Sequence, residues 1–213
     1  LSEQGISLAR ALKTSSQSIL SHVKGNTFLQ LGIEEHETWL ANNEIIKTFI
    51  CLPFQGKHKA SVISSLYELP FETSSIDVIF CPFTLNLLDH KLSFLSEVNR
   101  VLSDNGSVIF AGINPFSFWG LPHQWCGASK MREFVSVYQL RKLLFDLEYS
   151  IKDIKHFVYW PPFVSSVFFE RLYVKVGQML LPYPAGFYLL SAQKNRIKPI
   201  SIHTSFALQN HFT

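Results

Sequence analysis

Residues 67–114 constrain the fold of this chain more than any other stretch. They contain two short apolar runs, 78–81 and 108–113, that are rich in β-branched and aromatic residues and lack polar alternation. Strands that are buried on both faces of a parallel sheet have this composition. Because parallel neighbours need a long crossover, the segment between the runs has to form one. The stretch therefore predicts a right-handed strand–helix–strand unit.

The crossover segment has the pattern of a helix. Asp89 is placed to be its N-cap, and Gly106 stands just beyond its predicted end. The apolar side chains that recur at helical spacing are Leu92, Leu95, Val98 and Leu102. We therefore predict a helix over about residues 89–102, with a turn at 104–106 before the second strand.

A series of short motifs follows in this stretch: Leu69-Pro70-Phe71, Ile76-Asp77, Leu87-Leu88-Asp89, residues 97–102 and Asn105-Gly106. Their order resembles that in class I S-adenosylmethionine-dependent methyltransferases. The likeness is strongest to the small-molecule enzymes related to quinone biosynthesis, and it covers about half of the chain well. The resemblance implies an α/β, Rossmann-like sandwich with a mostly parallel sheet of about six or seven strands, the last of them antiparallel.

The remaining elements follow from local patterns. A capping box, Ser136 with Gln139, predicts a helix over 137–148. Too few residues separate the second strand from the apolar run 60–64 for a usual crossover, so the helix between strands two and three should be missing. We expect one domain over 1–193 and a basic, flexible tail over 194–213. The other predicted elements are a helix over 3–24, strands over 27–31, 45–52, 149–159 and 186–193, and a helix over 164–181.

The family's glycine-rich turn is degenerate here. The family binds S-adenosylmethionine beside a GxGxG turn that follows the first strand, which places the cofactor contact at Gly32. Glu34 and His36 stand where the second and third glycines would be. Their side chains crowd the methionine part of the cofactor, and a carboxylate at this turn repels the carboxylate of the cofactor.

The other cofactor positions implied by the resemblance also depart from the family. The acidic residue that binds the ribose falls at Leu52 or Pro53, and neither side chain accepts a hydrogen bond. The adenine acceptor falls at Ser65, where a hydroxyl retains one acceptor function. The remaining implied pocket residues are Leu66, Cys81 and Phe83, and Phe83 is equally consistent with a place in the core. We therefore predict weak or lost binding of S-adenosylmethionine.

Aromatic residues follow the predicted fifth and sixth strands, at the sheet edge where α/β folds bind ligands. The candidates for acceptor binding are Phe116, Trp119, Trp125 and Tyr159, and the candidates for a general base are His123 and Tyr159. Two interpretations remain open for the aromatics: the wall of an apolar site, or packing at a sheet edge or in a homodimer contact. The Asn114-Pro115 pair lies after the wrong strand for an amino-group methyltransferase of nucleic acids, which places its tetrapeptide after the fourth strand.

Composition narrows the function classes. The net charge of +3 is small and its cations are scattered, so nothing favours nucleic-acid binding. Three cysteines without CxxC spacing favour neither a disulfide framework nor a metal site, and they indicate a cytoplasmic setting. Proline and charge interrupt the most apolar run, so no stable membrane insertion is expected. The predicted function is methyl transfer to a small, apolar or aromatic acceptor; the alternative is an inactive methyltransferase fold with a binding or regulatory role.

Overall fold

A seven-stranded mixed sheet is the centre of the fold. The computed structural model describes residues 3–32, 47–53, 61–120, 134–159 and 185–195, with side chains from residue 10 onward. The strands are β1 Thr27–Leu31, β2 Lys47–Leu52, β3 Val62–Ile63, β4 Ile76–Pro82, β5 Leu102–Ile113, β6 Tyr149–Phe157 and β7 Phe187–Lys194. The helices are α1 Glu3–Leu20, α2 Lys91–Val101 and α3 Val137–Asp146. A short 3-10 turn, Thr84–Asn86, follows β4.

The strand order is β3-β2-β1-β4-β5-β7-β6. Strands β3, β2, β1, β4 and β5 pair in parallel, and β7 runs antiparallel to both β5 and β6. The order therefore builds outward in opposite directions from the β1–β4 pair, which creates a switch point between these two strands. The predicted fold class, a mostly parallel Rossmann-like sheet with an antiparallel last strand, is confirmed.

Alternation along the strands creates two hydrophobic layers. Successive side chains of a strand point to opposite faces, so Phe80 packs in one layer and Cys81 in the other. Helix α1 covers the Phe80 layer with Leu12, Ile19 and Leu20. Helices α2 and α3 cover the other layer, with buried side chains from Phe94, Leu95, Val98, Leu140 and Leu144. Helices thus lie on both faces, as the parallel sheet requires.

Several predicted boundaries were wrong, and the local geometry gives the reason. His90 rather than Asp89 is the N-cap of α2, and it makes no side-chain capping bond. Strand β5 begins directly after α2, and Asn105, rather than Gly106, has a left-handed backbone (φ 63°). Asparagine tolerates this conformation, and a Cβ at Gly106 would lie 2.8 Å from the carbonyl oxygen of Ser103. Helix α1 ends at Leu20, four residues before its predicted end.

Other predictions can be compared only in part. The Ser136–Gln139 capping box is confirmed: the Gln139 amide donates to Ser136 Oγ (3.2 Å), and the Ser136 amide donates to Gln139 Oε1 (2.9 Å). Three predictions concern residues outside the described ranges: the missing helix before the third strand (54–60), the helix over 164–181 and the tail beyond 195. The domain division therefore remains a prediction. None of the described helices is long and apolar enough to cross a membrane.

Candidate functional site

The carboxyl ends of the parallel strands meet at one edge of the sheet. Gly32 follows β1, Pro53 follows β2, Phe83 follows β4 and Asn114 follows β5. The switch point between β1 and β4 opens at this edge, and open α/β sheets bind ligands there. The predicted cofactor residues thus share the edge at which a nucleotide-like ligand would be expected.

A glycine is required at position 32 because the side chain of Thr84 lies close to its backbone. Its φ is +93°, and a Cβ there would lie 2.7 Å from both Cγ2 and Oγ1 of Thr84. The Thr84 hydroxyl in turn donates to the carbonyl of Leu31 (2.7 Å), and the Gly32 amide donates to the carbonyl of Cys51 (3.0 Å). The space beside Gly32 is therefore filled by the turn after β4, which fixes the ends of β1 and β4 against each other.

Phe83 is strained where it follows β4. Its backbone is left-handed (φ 54°, ψ 9°), which costs a non-glycine residue on the order of 1–3 kcal/mol. Its amide donates to the carbonyl of Ala111 (2.9 Å), and its ring meets Phe187 edge to face at 5.8 Å. Such strain concentrates at functional sites, where surrounding contacts maintain it.

Asn86, at the end of the 3-10 turn, carries an unsatisfied buried amide. The residue is 3% exposed, and its Nδ2 has no hydrogen-bond partner within the part of the chain that the structure describes. A buried, unmade hydrogen bond costs about 1–3 kcal/mol. Sequence analysis missed this residue, although an amide within the apolar run 85–88 was a visible signal.

The expected adenine and ribose positions offer few acceptors. Ser65 is exposed, and its hydroxyl accepts a hydrogen bond from the Tyr67 amide (3.2 Å), while the adjacent Leu66 is buried in the core. Leu52 is also buried, whereas Pro53 is exposed. Neither of the two residues at the end of β2 supplies a side-chain acceptor for ribose hydroxyls.

On α2, the Glu97–Arg100 ion pair holds the segment after Ser65 in place. The Glu97 carboxylate accepts hydrogen bonds from Arg100 Nε (2.9 Å) and Nη2 (2.7 Å) and from the Leu69 amide (2.8 Å). Arg100 also donates to the carbonyls of Leu69 (2.9 Å) and Phe71 (3.0 Å). The Arg100 hydrogen bonds lower the pKa of Glu97 despite its partial burial. The pair therefore holds the Leu69-Pro70-Phe71 motif on the helix, which gives that motif a structural role.

Burial keeps the side chains of Cys81 and Tyr159 protonated at neutral pH. Cys81 is fully buried, and burial raises the pKa of its thiol well above the ordinary value. Tyr159 is half-buried, and burial raises the pKa of its phenol, so at neutral pH the hydroxyl stays protonated. Its hydroxyl makes a long contact of 3.5 Å with the carbonyl of His156. The other candidate base, His123, lies outside the described residues.

The segment after β5 is locked to the start of β7. The Asn114 side chain donates to the carbonyl of Ala185 (3.2 Å), and the Asn114 amide donates to the carbonyl of Gly186 (2.9 Å). The Ser117 hydroxyl donates to the Asn114 carbonyl (2.7 Å) and accepts from the Gly120 amide (3.2 Å). The Asn-Pro segment therefore builds a rigid turn at the carboxyl edge.

The candidate aromatics divide into packed and exposed residues. The Trp119 ring meets Phe187 at 5.3 Å and occupies the space beside Gly186, where a Cβ would lie 2.5 Å from Trp119 Cδ1. For Trp119, sheet-edge packing is thus what the structure shows. Phe116 is 69% exposed, which leaves its ring free to meet a ligand. Trp125 lies outside the described part of the chain.

A sizeable cavity lies at the opposite edge of the sheet. It measures about 650 Å³ and is lined by Ile19 of α1, by Lys24 after that helix, by Lys152 of β6 and by Gln193 of β7. These residues are at the amino ends of the parallel strands, so the cavity is separate from the predicted site. Among the described residues, no cluster of His, Cys, Asp or Glu forms a metal site.

The residues at the carboxyl edge fit S-adenosylmethionine only in part. The Gly32 turn and the strained Phe83 frame the switch point, and the Asn86 amide offers a hydrogen-bond donor. The acidic groups that the family uses are replaced by Leu52 or Pro53 at the ribose position and by Ser65 at the adenine position. The contact roles assigned to these residues from the sequence remain predictions.

Comparison with known proteins agrees with the fold. Residues 45–110 match the family model described as "Methyltransferase domain". A 54-residue segment is 41% identical to the uncharacterized protein YafS of Escherichia coli (strain K12), and it spans 25% of this chain and about a fifth (22%) of that protein. A SAM-dependent methyltransferase from Archaeoglobus fulgidus aligns with a TM-score of 0.60 at 16% identity, over 86% of this chain and 93% of its own.

A second similar structure contains bound ligands. Geranyl diphosphate C-methyltransferase from Streptomyces coelicolor A3(2), in complex with Mg²⁺, geranyl-S-thiolodiphosphate and S-adenosyl-L-homocysteine, aligns with a TM-score of 0.57 at 13% identity. The alignment covers 83% of this chain and 74% of that chain. The family-model match and these neighbours confirm the resemblance to class I S-adenosylmethionine-dependent methyltransferases, and the structural likeness establishes the fold.

Proposed function

We propose that this protein is an S-adenosylmethionine-dependent methyltransferase that acts on a small, apolar or aromatic acceptor. The observation that carries the proposal is the switch point between β1 and β4, where Gly32 and the strained Phe83 follow the two strands. The family-model match, which extends from before β2 into β5, supports the same assignment. The observations that favour the inactive alternative are the missing acidic residues at Leu52 or Pro53 and at Ser65, and the side chains of Glu34 and His36 at the glycine-rich turn.

The role proposed for the chain is mainly positioning. When bound, the cofactor supplies a methyl group on an already activated sulfonium, so proximity and in-line orientation do most of the catalytic work. The Asn114–Gly120 turn makes the carboxyl edge rigid, and the exposed ring of Phe116 offers apolar contact. Because burial raises the pKa of Tyr159, its phenol stays protonated at neutral pH, and His123 is the remaining candidate base for an acceptor that has to lose a proton.

Weak cofactor binding is part of the proposal. Two charge-assisted hydrogen bonds are missing, one to ribose at Leu52 or Pro53 and one to adenine at Ser65. Each is worth roughly 1.5–3 kcal/mol, so affinity should be about a hundredfold to ten-thousandfold below that of a complete site. Glu34 and His36, which lie outside the described residues, should further weaken binding of the methionine part.

The proposed setting and partners follow from the same reasoning. The expected partner is the small-molecule acceptor, with no nucleic acid, and a homodimer contact through the exposed aromatics is a further proposal. The proposed cytoplasmic location rests on the absence of a pairing pattern among the three cysteines.

Calorimetric titration with S-adenosylmethionine and S-adenosylhomocysteine tests the cofactor, and transfer of labelled methyl to a panel of aromatic and apolar acceptors tests the reaction. Phe116→Ala should weaken acceptor use while thermal stability stays unchanged, since this ring is 69% exposed. Phe145→Ala is the matched control, because Phe145 is 77% exposed but lies near the end of α3. If neither S-adenosylmethionine nor S-adenosylhomocysteine binds at millimolar concentration, the enzyme proposal is rejected in favour of the inactive alternative.

A further inference from the structure

The unsatisfied amide of Asn86 lies at the carboxyl end of β4, beside the switch point. We propose that Asn86 Nδ2 donates a hydrogen bond to the carboxylate of the cofactor's methionine part. This inference rests on the proposed function, since it assigns a ligand group to the same site.

Three unusual features fall within five residues of the chain. Phe83 has a left-handed backbone, Thr84 fills the space that Gly32 leaves empty, and Asn86 buries an amide nitrogen without a described partner. Folded proteins leave few buried polar groups unsatisfied, and those that persist require an explanation. Local strain and unmade bonds that coincide at a ligand-binding edge are typical of a binding site rather than a packing defect.

The chemistry of the amide selects the ligand group. An Nδ2 group only donates, so its partner must be an acceptor, and an anionic oxygen forms the stronger hydrogen bond. The neighbouring side chains of Leu85 and Leu88 are buried and apolar, so neither can satisfy Asn86. Glu34 adds a negative charge to the turn after β1 in the sequence, which leaves the β4 side as the better source of a donor for the carboxylate.

Ligand entry requires a local movement. The Asn86 nitrogen is closed to solvent in this structure, so the Thr84–Asn86 turn has to shift before the amide meets a carboxylate. The strained backbone of Phe83 stands at the start of that turn, and its relaxation would favour the shift.

Asn86→Leu tests the proposal, because leucine has a similar shape and no amide. Without ligand, the thermal midpoint should rise by about 2–6 °C, since an unsatisfied donor is removed. The dissociation constant of S-adenosylhomocysteine should increase about ten- to a hundredfold. Binding of 5′-methylthioadenosine, which lacks the amino acid part, should stay unchanged. A purely structural role predicts the opposite, lower stability with unchanged ligand preference.

Two further variants complete the experiment. Asn99→Leu removes another amide with an unsatisfied buried atom, but it lies near the end of α2 at the amino edge and should leave S-adenosylhomocysteine binding unchanged. Asn86→Ala cannot overpack, so it replaces Asn86→Leu if the leucine variant fails to fold. It should lose the same preference for S-adenosylhomocysteine. Equal affinity of wild type and Asn86 variants for S-adenosylhomocysteine overturns this inference alone, whereas absence of binding to the wild type overturns the proposed function and this inference with it.

Discussion

Replacing Ser65 with Asp should tighten the binding of S-adenosylmethionine about tenfold. The resemblance places the family's adenine acceptor at this position, and the serine hydroxyl already accepts the Tyr67 amide at 3.2 Å. A carboxylate can accept that amide with one oxygen and leave the other for the adenine amino group. The substitution therefore adds one charge-assisted hydrogen bond and removes none.

The exposure of Ser65 sets the expected size of this effect. Hydrogen bonds to charged groups contribute roughly 1.5–3 kcal/mol, and the lower end applies here because solvent competes at an exposed position. About 1.5 kcal/mol corresponds to roughly a tenfold change in the dissociation constant. The thermal midpoint without ligand should change little, since the residue is outside the core.

Calorimetry of the wild type, Ser65→Asp and Ser65→Asn separates the effect of charge on binding from the effect of side-chain shape. Ser65→Asn has the shape of the aspartate and no charge, so it should bind like the wild type. S-inosylhomocysteine, in which a carbonyl replaces the adenine amino group, should show no gain with Ser65→Asp. If the aspartate and asparagine variants bind S-adenosylmethionine equally, adenine does not contact this position, and the transfer of the family's adenine motif to Ser65 is wrong.

Three further predictions concern packing, pH and capping. Trp119→Ala should lower the free energy of unfolding by about 2–3 kcal/mol in urea denaturation, because the ring packs on Phe187; an unchanged value would contradict that packing. Because Arg100 lowers the pKa of Glu97, their contribution should be complete above the ordinary glutamate value of 4.5 and be lost as pH falls through the lowered value. Unfolding measured between about pH 3 and 7 should therefore show a weaker acid dependence in Arg100→Ala, and an identical curve would refute the link. Ser136→Ala should cost about 0.5–2 kcal/mol, and no change by chemical denaturation would show that the capping box is not stabilising.

Local patterns in the sequence determined the central elements. The first strand was predicted over 27–31 and is β1, Thr27–Leu31. The unbroken apolar runs identified the buried parts of β4 and β5, and Ser136 with Gln139 identified the start of α3. These patterns can be recognised in the sequence because a strand buried on both faces and a capped helix each restrict the types of neighbouring residues.

The residues of the candidate site depended on the tertiary structure. Thr84 meets the strand that ends 53 residues earlier, and Trp119, in the turn after β5, packs on Phe187 of β7. The left-handed backbone of Phe83 and the unsatisfied amide of Asn86 likewise depend on what surrounds the turn after β4. No local pattern encodes such contacts, because the partners come together only when the sheet has assembled. The sequence thus determined which strands form and where they end, while their assembly decided which side chains are strained, unsatisfied or buried at the switch point.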